Sequence, residues 1–421
     1  MRILVVGGGG REHALVWKLA RSPKVDEIYC APGNGGIADL AQCVDIAASD
    51  VDRMVEFAVE NGVDFCVVAP DDPLALGMVD EMQKRGIPAF GPDKAAAEIE
   101  SSKVFAKELM RKYGIPTADY GVFSQEEPDE ALAYAIGIGF PVVVKADGLA
   151  LGKGVMICEN ESQARDAIWD MTQNKRFGKA GERIVIEEFL SGPEVSILCF
   201  TDGDTMLPMI SAQDHKRALD NDGGLNTGGM GAFAPSPKYT PEIADFVERK
   251  IMRPTIYAMA REGRRFKGVL YFGVMLTKSG PKVLEYNARF GDPETQAVLP
   301  LLRNDLMEIF EAVEQERLHE ITLEWENDFA VCVVMASGGY PENYQTGYPI
   351  RGMEDAEALE KVLVFHAGTR KKGDAVVTAG GRVLGVVGLG NSLEEAMRCG
   401  YEGIGRIHFQ DAHYRTDIGK K

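Results

Sequence analysis

Three polar residues in one short segment have the types and spacing of a phosphate-transfer site. Glu285, Asn287 and Arg289 occupy alternate positions of a predicted strand and its continuation, so their side chains are expected on one face. Carboxylate and amide oxygens suit a Mg²⁺ ion that carries phosphate groups, and an arginine beside them could neutralise charge on a transferring phosphoryl group. The spacing therefore predicts a metal site at Glu285 and Asn287, with Arg289 as a catalytic cation. Surface polar residues are the alternative, but Leu284 and Tyr286 face the other way, as a core side should.

A run of four glycines near the N-terminus could bind a phosphate. Residues 7–10 follow a predicted strand and open a helix, which brings backbone N–H groups and a helix N-terminus to one point. Arg11 adds a positive charge there. The run is not a dinucleotide fingerprint, because Glu12 and His13 stand where its last glycine is required. We therefore favour an anion site over a nicotinamide site, with a simple tight turn as the alternative; His13 could contact substrate or be structural.

A second glycine-rich segment, residues 146–155, follows Lys145 and lies between two predicted strands. Its spacing differs from that of a Walker A loop, since Gly154 follows Lys153 where a magnesium-binding hydroxyl is required. A flexible flap that contains a lysine could still close over the phosphates of a nucleotide, and Gly152 belongs to the same flap. A plain hairpin turn would give the same pattern.

Three further polar segments suit ligand binding. Residues 187–190 (Glu-Glu-Phe-Leu) end a predicted strand, and such a hinge exposes backbone groups that can read the edge of an adenine. Residues 213–217 place a histidine and two cations in a row, which suits an anionic substrate. Residues 226–231 are rich in glycine, which allows close backbone approach. Solvated acidic residues and solvated loops are the alternatives.

The elements that must position these segments indicate an α/β protein. In the first hundred residues, apolar strands alternate with helices, a pattern typical of a parallel sheet covered on both faces with ligands at the carboxyl ends of its strands. These strands are predicted at residues 2–6, 27–31 and 64–69, and the helices at 11–21, 51–61 and 73–85. Later predictions are helices at 101–113, 241–261 and 301–316, strands at 268–277 and 282–287, and an irregular loop at 213–231. From about residue 328 the pattern changes to α+β.

Composition excludes several classes of protein. The chain has 421 residues, of which 45% are hydrophobic and 26% charged, as is usual for a globular protein. Its net charge of −18 argues against sequence-independent binding to nucleic acid and against binding to anionic lipid. No apolar run approaches the roughly 18 residues of a membrane helix, and the N-terminus lacks the longer apolar region of a signal peptide. Seven cysteines without a CxxC pair favour free, buried thiols in a reducing cytoplasm.

Taken together, these motifs resemble one family, the phosphoribosylamine–glycine ligases or glycinamide ribonucleotide synthetases, of the ATP-grasp superfamily. The matching stretches occur in order over essentially the whole chain, at residues 6–14, 145–155, 213–217, 226–231 and 289–294. The sequence Arg-Phe-Gly-Asp-Pro-Glu after Glu-Tyr-Asn is highly specific. The resemblance implies an α/β protein with an ATP-grasp fold in three parts. These are an N-terminal parallel α/β (pre-ATP-grasp) domain at residues 1–102, an ATP-grasp domain at 103–327 with a small flap subdomain at about 118–190, and a C-terminal α+β domain at 328–421.

The resemblance also implies a reaction and its residues. Glycine would be ligated to 5-phosphoribosylamine at the expense of ATP, through glycyl phosphate, giving glycinamide ribonucleotide in de novo purine biosynthesis. The metal, Mg²⁺ or Mn²⁺, would be held by Glu285 and Asn287. The catalytic residues implied are Arg289, Lys145 and Asp292. The nucleotide-binding residues implied are Lys103, Lys145, Gly152, Lys153, Gly154, Glu187, Glu188, Phe189, Leu190 and Glu194. The substrate-binding residues implied are Gly9, Arg11, Asp71, Asp214, Lys216, Asn226, Thr227, Gly228 and Arg289.

Two positions depart from the family pattern. Asp71 stands where the family usually has glutamate, in a loop expected to touch the ribose of the amine substrate, and Leu151 replaces an alanine of the flap. The competing hypotheses are another ATP-grasp enzyme, such as a formate-dependent transformylase or a carboxylase, and a nucleotide-binding regulatory protein without catalysis. The intact Glu285 and Asn287 pair argues against the latter. We expect a cytoplasmic enzyme that acts on small molecules without nucleic acid or membrane partners, as a monomer, with a dimer as the alternative.

Overall fold

The computed structural model describes residues 1–149, 154–174 and 178–420. Its N-terminal part is a five-stranded parallel sheet with strand order β3-β2-β1-β4-β5. The apolar residues of β1 and β4 are buried because helices cover both faces of the sheet. The elements are β1 (Arg2–Gly7), α1 (Gly10–Leu19), β2 (Glu27–Pro32), β3 (Gln42–Cys43), α2 (Val51–Glu60), β4 (Phe65–Val68), α3 (Asp71–Leu76), α4 (Met78–Lys84), β5 (Ala89–Phe90), α5 (Lys94–Ser101) and α6 (Lys103–Tyr113).

Two predicted helices of this part are wrong in their limits. The single helix expected at residues 73–85 is divided between α3 and α4, because Gly77 has a φ of +90° and interrupts the helical backbone. The helix expected from residue 101 begins at Lys103, after Ser102. The Ser102 hydroxyl accepts a hydrogen bond from the N–H of Phe105, which makes Ser102 the N-cap of α6.

A small four-stranded sheet follows, with its own hydrophobic core. Its strand order is β6-β9-β7-β8, and all neighbouring strands are antiparallel. The elements are β6 (Tyr120–Ser124), α7 (Pro128–Ile138), β7 (Val142–Ala146), β8 (Val155–Cys158), α8 (Glu161–Thr172) and β9 (Arg183–Glu188). Because β7 and β8 are paired, the glycine-rich segment between them is the connection at one end of this sheet.

The central part contains a second antiparallel sheet, with strand order β11-β10-β16-β17. Strand β16 has the predicted limits. The elements are β10 (Glu194–Thr201), β11 (Met206–Pro208), β12 (Gln213–Asp214), β13 (Arg217–Leu219), β14 (Gly223–Asn226), β15 (Gly231–Ala234), α9 (Pro241–Val247), α10 (Arg253–Arg261), β16 (Gly268–Thr277), β17 (Gly280–Asn287), α11 (Glu294–Val298) and α12 (Leu306–Glu314).

Three predictions for the central part need correction. The irregular loop expected at residues 213–231 contains β12, β13 and β14 and the first residue of β15. The helix expected at 241–261 is interrupted by a π-helical turn at Glu248–Met252, and the one expected at 301–316 begins only at Leu306. Short polar strands without apolar alternation have no sequence pattern that would reveal them.

The C-terminal part is built on a five-stranded sheet with order β12-β15-β18-β22-β19. Two strands of this sheet precede residue 328, so the sheet crosses the predicted domain limit. The elements of this part are β18 (Phe329–Ala336), α13 (Met353–Glu357), β19 (Val362–His366), β20 (Thr369–Lys372), β21 (Ala375–Thr378), β22 (Arg382–Gly390) and α14 (Leu393–Ile404).

Two further observations concern the chain as a whole. All seven cysteines are free and six are buried, but Cys43 is exposed, so the prediction of buried thiols is wrong for that residue. Within the described ranges, we find no helix with the length and apolar character needed to cross a membrane.

Candidate functional site

A cavity of about 450 Å³ lies where the four parts of the chain meet. Side chains from the N-terminal helices, the flap sheet, the central sheet and the C-terminal sheet all contribute to its wall. The predicted site residues that line it are Arg11, Asp71, Lys103, Lys145, Gly154, Glu187, Asp214, Lys216, Asn226, Thr227, Gly228, Glu285, Asn287, Arg289 and Asp292. Most of the residues named from sequence therefore lie around one space, although they come from distant segments.

Strand β17 presents Glu285 and Asn287 to the cavity, two positions apart on one face. Tyr286, between them, is buried on the opposite face. The ammonium of Lys216 lies 3.2 Å from Oε1 of Glu285 and 2.6 Å from Oε1 of Glu194. Lys216 is the main cause that lowers the pKa of Glu285 to about 2, against the opposing effect of burial.

This donor set fits a divalent cation bound to phosphates. Glu285 is ionised and Asn287 adds an amide oxygen, and both are hard ligands suited to Mg²⁺. No group of three or more acidic, histidine or cysteine residues that could hold a metal occurs in the part of the chain the structure describes. The remaining ligands of such an ion would therefore be phosphate oxygens and water.

Glu187 at the end of β9 holds two lysines at the cavity wall. Its Oε1 lies 2.8 Å from Nζ of Lys145, and its Oε2 lies 2.9 Å from Nζ of Lys107. Burial opposes ionisation of Glu187, but the two lysines outweigh it and lower the pKa of the carboxyl. Burial also lowers the pKa of Lys107 to about 8. Sequence reasoning missed Lys107, although it lies four residues after Lys103 and so shares its face of α6.

The start of the flap is tied to the N-terminus of α6. Lys103 donates a hydrogen bond of 2.7 Å to the carbonyl of Gly148. The carboxylate of Asp147 accepts from the hydroxyl of Ser102 at 3.0 Å and from Arg183 at 2.6 Å. These bonds fix one end of the connection between β7 and β8 beside the predicted phosphate lysines. Gly152 and Lys153, which were predicted to bind nucleotide, and Leu151 lie outside the described residues.

Arg289 is held by a residue that sequence reasoning missed. Glu100, at the end of α5, places Oε1 3.0 Å from Nη2 of Arg289 and accepts the backbone N–H of Ala288 on Oε2 at 2.6 Å. Burial raises the pKa of Glu100 to about 7; Arg289 opposes this shift and the nearby Asp71 adds to it. The orientation of the predicted catalytic cation therefore depends on a buried carboxylate from a different domain of the chain.

The C-terminal part of the chain adds two residues that were not predicted. Arg382 of β22 lies with Nη2 3.0 Å from Oδ2 of Asp292, and its Nη1 donates to the carbonyl of Gly228 at 2.7 Å. The N–H of Gly228 donates to the hydroxyl of Tyr340 at 3.1 Å. Burial opposes ionisation of Asp292, but Arg382 is the leading cause that lowers its pKa. No sequence motif marks Arg382, which begins β22, or Tyr340, which lies in the turn after β18, because only the folding of the C-terminal part brings them to the cavity.

The glycine run lies beside this cluster. Glu12 accepts the N–H of Gly9 on Oε2 and Nε of Arg11 on Oε1, both at 2.6 Å, and Arg11 reaches the cavity. His13 does not line the cavity. Its Nδ1 accepts the N–H of His366 at 2.7 Å, and burial lowers its pKa to about 3. His13 is therefore a structural contact between the N-terminal and C-terminal parts.

Five predicted residues lie away from the cavity wall. Gly9 contributes its N–H to Glu12 instead. Glu188 pairs with Lys282 at 2.7 Å, Phe189 is exposed, and Leu190 is buried. Glu194 pairs with Lys216, which lines the cavity.

Comparison with known proteins gives a consistent result over the whole chain. Family models described as the N domain, the ATP-grasp (A) domain and the C domain of phosphoribosylglycinamide synthetase match residues 1–100, 101–295 and 330–421. The chain is 49% identical to the phosphoribosylamine–glycine ligase of Caldanaerobacter subterraneus, with 99% of each chain covered. It is 50% identical to that of Allochromatium vinosum, with 100% of this chain and 98% of the relative covered.

Solved structures agree. A crystal structure of phosphoribosylamine–glycine ligase from Thermotoga maritima is 33% identical, with a TM-score of 0.84 over 99% of this chain and 100% of that one. The biotin carboxylase domain of a 2-oxoglutarate carboxylase from Hydrogenobacter thermophilus, solved with MgADP, is 16% identical with a TM-score of 0.74. It covers 98% of this chain and 91% of its own, and this likeness shows the fold alone.

Proposed function

The chain belongs to the phosphoribosylglycinamide synthetase family and is a carbon–nitrogen ligase of purine biosynthesis, and we propose that the residues around its cavity carry out that ligation. The reaction joins glycine to 5-phosphoribosylamine. The observation that supports the residue roles best is the common wall formed by Glu285, Asn287 and three buried or half-buried lysines.

We propose a two-step reaction in which ATP is consumed. A carboxylate oxygen is a poor leaving group, so the γ-phosphoryl group is first transferred to glycine, giving glycyl phosphate and ADP. The amine of 5-phosphoribosylamine then attacks the carbonyl carbon, phosphate leaves, and the nitrogen loses a proton. The products are glycinamide ribonucleotide, ADP, phosphate and a proton. Phosphoryl transfer of this kind needs mainly positioning and neutralisation of charge.

The phosphate end of the site is assigned to three lysines and a metal pair. Lys103 and Lys145 would hold the phosphates, and Lys107 supports Lys145 from behind through Glu187. Glu285 and Asn287 would hold Mg²⁺ or Mn²⁺, which supplies further neutralisation of phosphate charge when bound. The flap after β7, with Gly152, Lys153 and Gly154, would exclude water from the reactive acyl phosphate. Residues 187–190 would contact adenine and Glu194 the ribose.

The substrate end is assigned to residues from the other parts of the chain. Arg289, held by Glu100, would neutralise charge on the transferring group, and Asp292 would be kept in place by Arg382. The remaining proposed substrate contacts are Gly9, Arg11, Asp71, Asp214, Lys216, Asn226, Thr227 and Gly228. We also propose a cytoplasmic location, which the seven free thiols support, and a monomeric state.

The deciding experiment is a phosphate-release assay with ATP and Mg²⁺ in which each substrate is omitted in turn. We expect release only when glycine and freshly prepared 5-phosphoribosylamine are both present, with glycinamide ribonucleotide formed in equal amount. Phosphate release that continues unchanged without glycine would show that the substrate assignment is wrong. Replacement of glycine by formate or bicarbonate tests the transformylase and carboxylase alternatives in the same assay.

A further inference from the structure

The carboxylates of the cavity fall into two groups. Glu100, Glu187, Glu285 and Asp292 each lie within 3.2 Å of a lysine or arginine nitrogen. Asp71, Asp214 and Glu294 also line the cavity, but in the described part of the chain no lysine or arginine nitrogen lies within 4.0 Å of any of these three carboxylates. Asp71 lies on α3, whereas Glu294 acts directly on Asp214. Asp214 and Glu294 are therefore neighbouring acids that lack the partner cation of Glu100, Glu187, Glu285 and Asp292.

Asp214 and Glu294 reach the cavity from different elements. Asp214 ends the short strand β12, and its Oδ1 accepts the N–H of the following residue at 2.6 Å. Glu294 begins α11 and is only 3% exposed. Its Oε1 accepts the hydroxyl of Ser196 at 3.1 Å, and that hydroxyl also contacts Tyr271 Oη at 2.8 Å. Neutral hydroxyls and backbone groups stabilise these carboxylates less than a cation would.

The surroundings of Asp214 also favour an added positive charge. Burial is the largest cause that raises the pKa of Asp214 well above its ordinary value, and Glu294 is the next. Lys216 acts in the opposite direction. The charged or titratable groups that face Asp214 are Glu294 on α11, Glu194 on β10, Lys216 on its own loop, Arg382 on β22 and Cys332 on β18. Like charges at close range in a buried place hold a proton or a cation between them.

We propose that Asp214 and Glu294 form a subsite that binds the ammonium group of glycine. This inference rests on the proposed function, and it adds a specific recognition role that composition and motif did not give for Glu294. An ammonium group has three donors, which match two carboxylates and the hydroxyl of Tyr271 or Ser196.

The position of the subsite suits a molecule as short as glycine. Tyr271 on β16 is the register partner of Asn287 on β17, and adjacent strands lie about 5 Å apart. Glu294 contacts the hydroxyl of Ser196, which in turn contacts the hydroxyl of Tyr271, so this acid approaches the strand that pairs with the proposed metal residue Asn287. Glycine bound by its ammonium group there would direct its carboxylate toward the phosphate that it attacks.

The chemistry of the two substrates favours glycine over the amine of 5-phosphoribosylamine. That amine must be neutral to attack an acyl phosphate, and a pair of acids would hold it in the protonated, unreactive form. The amino group of glycine takes no part in the reaction and remains protonated throughout. Acids are therefore a suitable contact for the glycine ammonium and an unsuitable one for the attacking amine.

Two variants test the subsite by steady-state kinetics. Asp214→Asn and Glu294→Gln should each raise KM for glycine about 10- to 100-fold, the loss expected for one charge-assisted hydrogen bond. KM for ATP and for 5-phosphoribosylamine should change less than about threefold. Asp204→Asn, which removes an exposed carboxylate beyond the opposite end of β10, is the control and should leave all three constants unchanged.

Proton release provides a readout that a merely structural role would not change. Glycine binding to the wild-type enzyme with ADP and Mg²⁺ should release protons to the buffer, because a bound ammonium group favours the ionised form of Asp214. Calorimetry in buffers of different ionisation enthalpy measures this release. The release should be lost in Asp214→Asn. If either variant fails to fold, wild-type discrimination against glycolate, which carries a hydroxyl in place of the ammonium, decides the question.

The results that would overturn the subsite are separate from those that would overturn the function. Unchanged KM for glycine in both folded variants, a change confined to 5-phosphoribosylamine, or equal use of glycolate by the wild type would each refute the subsite. In all of these cases the wild-type enzyme would still require an acceptor for phosphate release. Phosphate release without any such requirement would instead refute the proposed function.

Discussion

Glu100 offers the sharpest test of how the site is assembled, because no motif marks it and it touches the proposed catalytic cation. Its two carboxylate oxygens accept from Arg289 Nη2 at 3.0 Å and from the backbone N–H of Ala288 at 2.6 Å. Glu100→Gln keeps the shape but has one acceptor oxygen and one NH₂ group. Whichever way the amide turns, it presents an NH₂ group to one of two existing donors. The variant therefore loses one charge-assisted hydrogen bond and gains an unfavourable donor–donor contact.

The magnitude follows from the value of such a bond. A hydrogen bond to a charged group contributes about 1.5–3 kcal/mol. If that free energy holds Arg289 in the position that stabilises the transition state, its loss lowers kcat/KM about 10- to 150-fold. We expect the decrease in kcat, with KM for ATP nearly unchanged, because the phosphate lysines Lys103 and Lys145 have other partners.

The assay measures phosphate release at saturating ATP. The control is a variant of another glutamate on the same helix. Glu98 is also on α5 and pairs with Arg264 at 2.6 Å, but away from the cavity. Glu98→Gln should keep wild-type kcat, and circular dichroism should show both variants folded. Full activity of folded Glu100→Gln, or an equal loss in Glu98→Gln, would refute a specific role for Glu100 in positioning Arg289.

The pH dependence of Glu100 follows from the same contact. Because burial raises its pKa to about 7, the carboxylate forms and holds Arg289 only as the pH rises through that value. The wild-type enzyme should therefore lose kcat on the acid side with an apparent pKa near 7, and Glu100→Gln should not show that step. The pKa of Glu100 is higher in the folded protein than in the unfolded chain. The folded state therefore loses stability as the pH rises from the ordinary pKa of a glutamate to about 7. The thermal stability of Glu100→Gln relative to wild type should accordingly improve between pH 5 and pH 8.

Three other changes test the remaining contacts. Glu285→Ala should leave the circular dichroism spectrum unchanged and remove most turnover at any Mg²⁺ concentration; wild-type turnover would refute the metal role. Glu187→Leu should lower the free energy of unfolding by about 3–5 kcal/mol in urea titrations, because two lysines are left buried without a counter-charge. Adding Lys107→Met should recover part of that loss, and no recovery would contradict the proposed pairing. Arg382→Gln frees Asp292 and should raise KM for 5-phosphoribosylamine about tenfold, measured by initial rates, with KM for ATP unchanged.

The sequence predicted the parts of the site that depend on local spacing. Alternation along β17 was sufficient to place Glu285 and Asn287 on one face, and the apolar run of β16 predicted its limits. The motif of residues 289–294 placed Arg289 and Asp292 at the same site. Each of these predictions depends on the residue pattern within one strand or one short segment. Such a pattern can be seen in the sequence without knowledge of the fold.

The missed residues depend on contacts between distant segments. Glu100 and Ala288 are 188 positions apart, and Arg382 and Asp292 are 90 apart, so no local period connects them. The strands β12, β13 and β14 were missed because they are short and polar, without apolar alternation. Strands β13 and β14 pair with each other, and β12 pairs with β15, whose other partner, β18, lies in the C-terminal part. Lys107 is the exception, because its position one helical turn after Lys103 was visible in the sequence.

The pairing of charges explains how a cavity lined by several carboxylates can bind ATP and 5-phosphoribosylamine, which both carry negative phosphate groups. Lys103 is held by the backbone carbonyl of Gly148, whereas Lys145 and Arg289 are anchored by carboxylates from other elements, Glu187 and Glu100. Those carboxylates are satisfied by the cations and by the backbone, so they hold the positive groups in place before substrate arrives. Electrostatic stabilisation is most effective when donors need no reorganisation during reaction. Asp214 and Glu294 are neighbouring acids without such a partner, and the ammonium group of glycine is the substrate group that keeps a positive charge throughout the proposed reaction. The same rule of compensation thus accounts both for the paired carboxylates that position the machinery and for the unpaired ones that we assign to glycine.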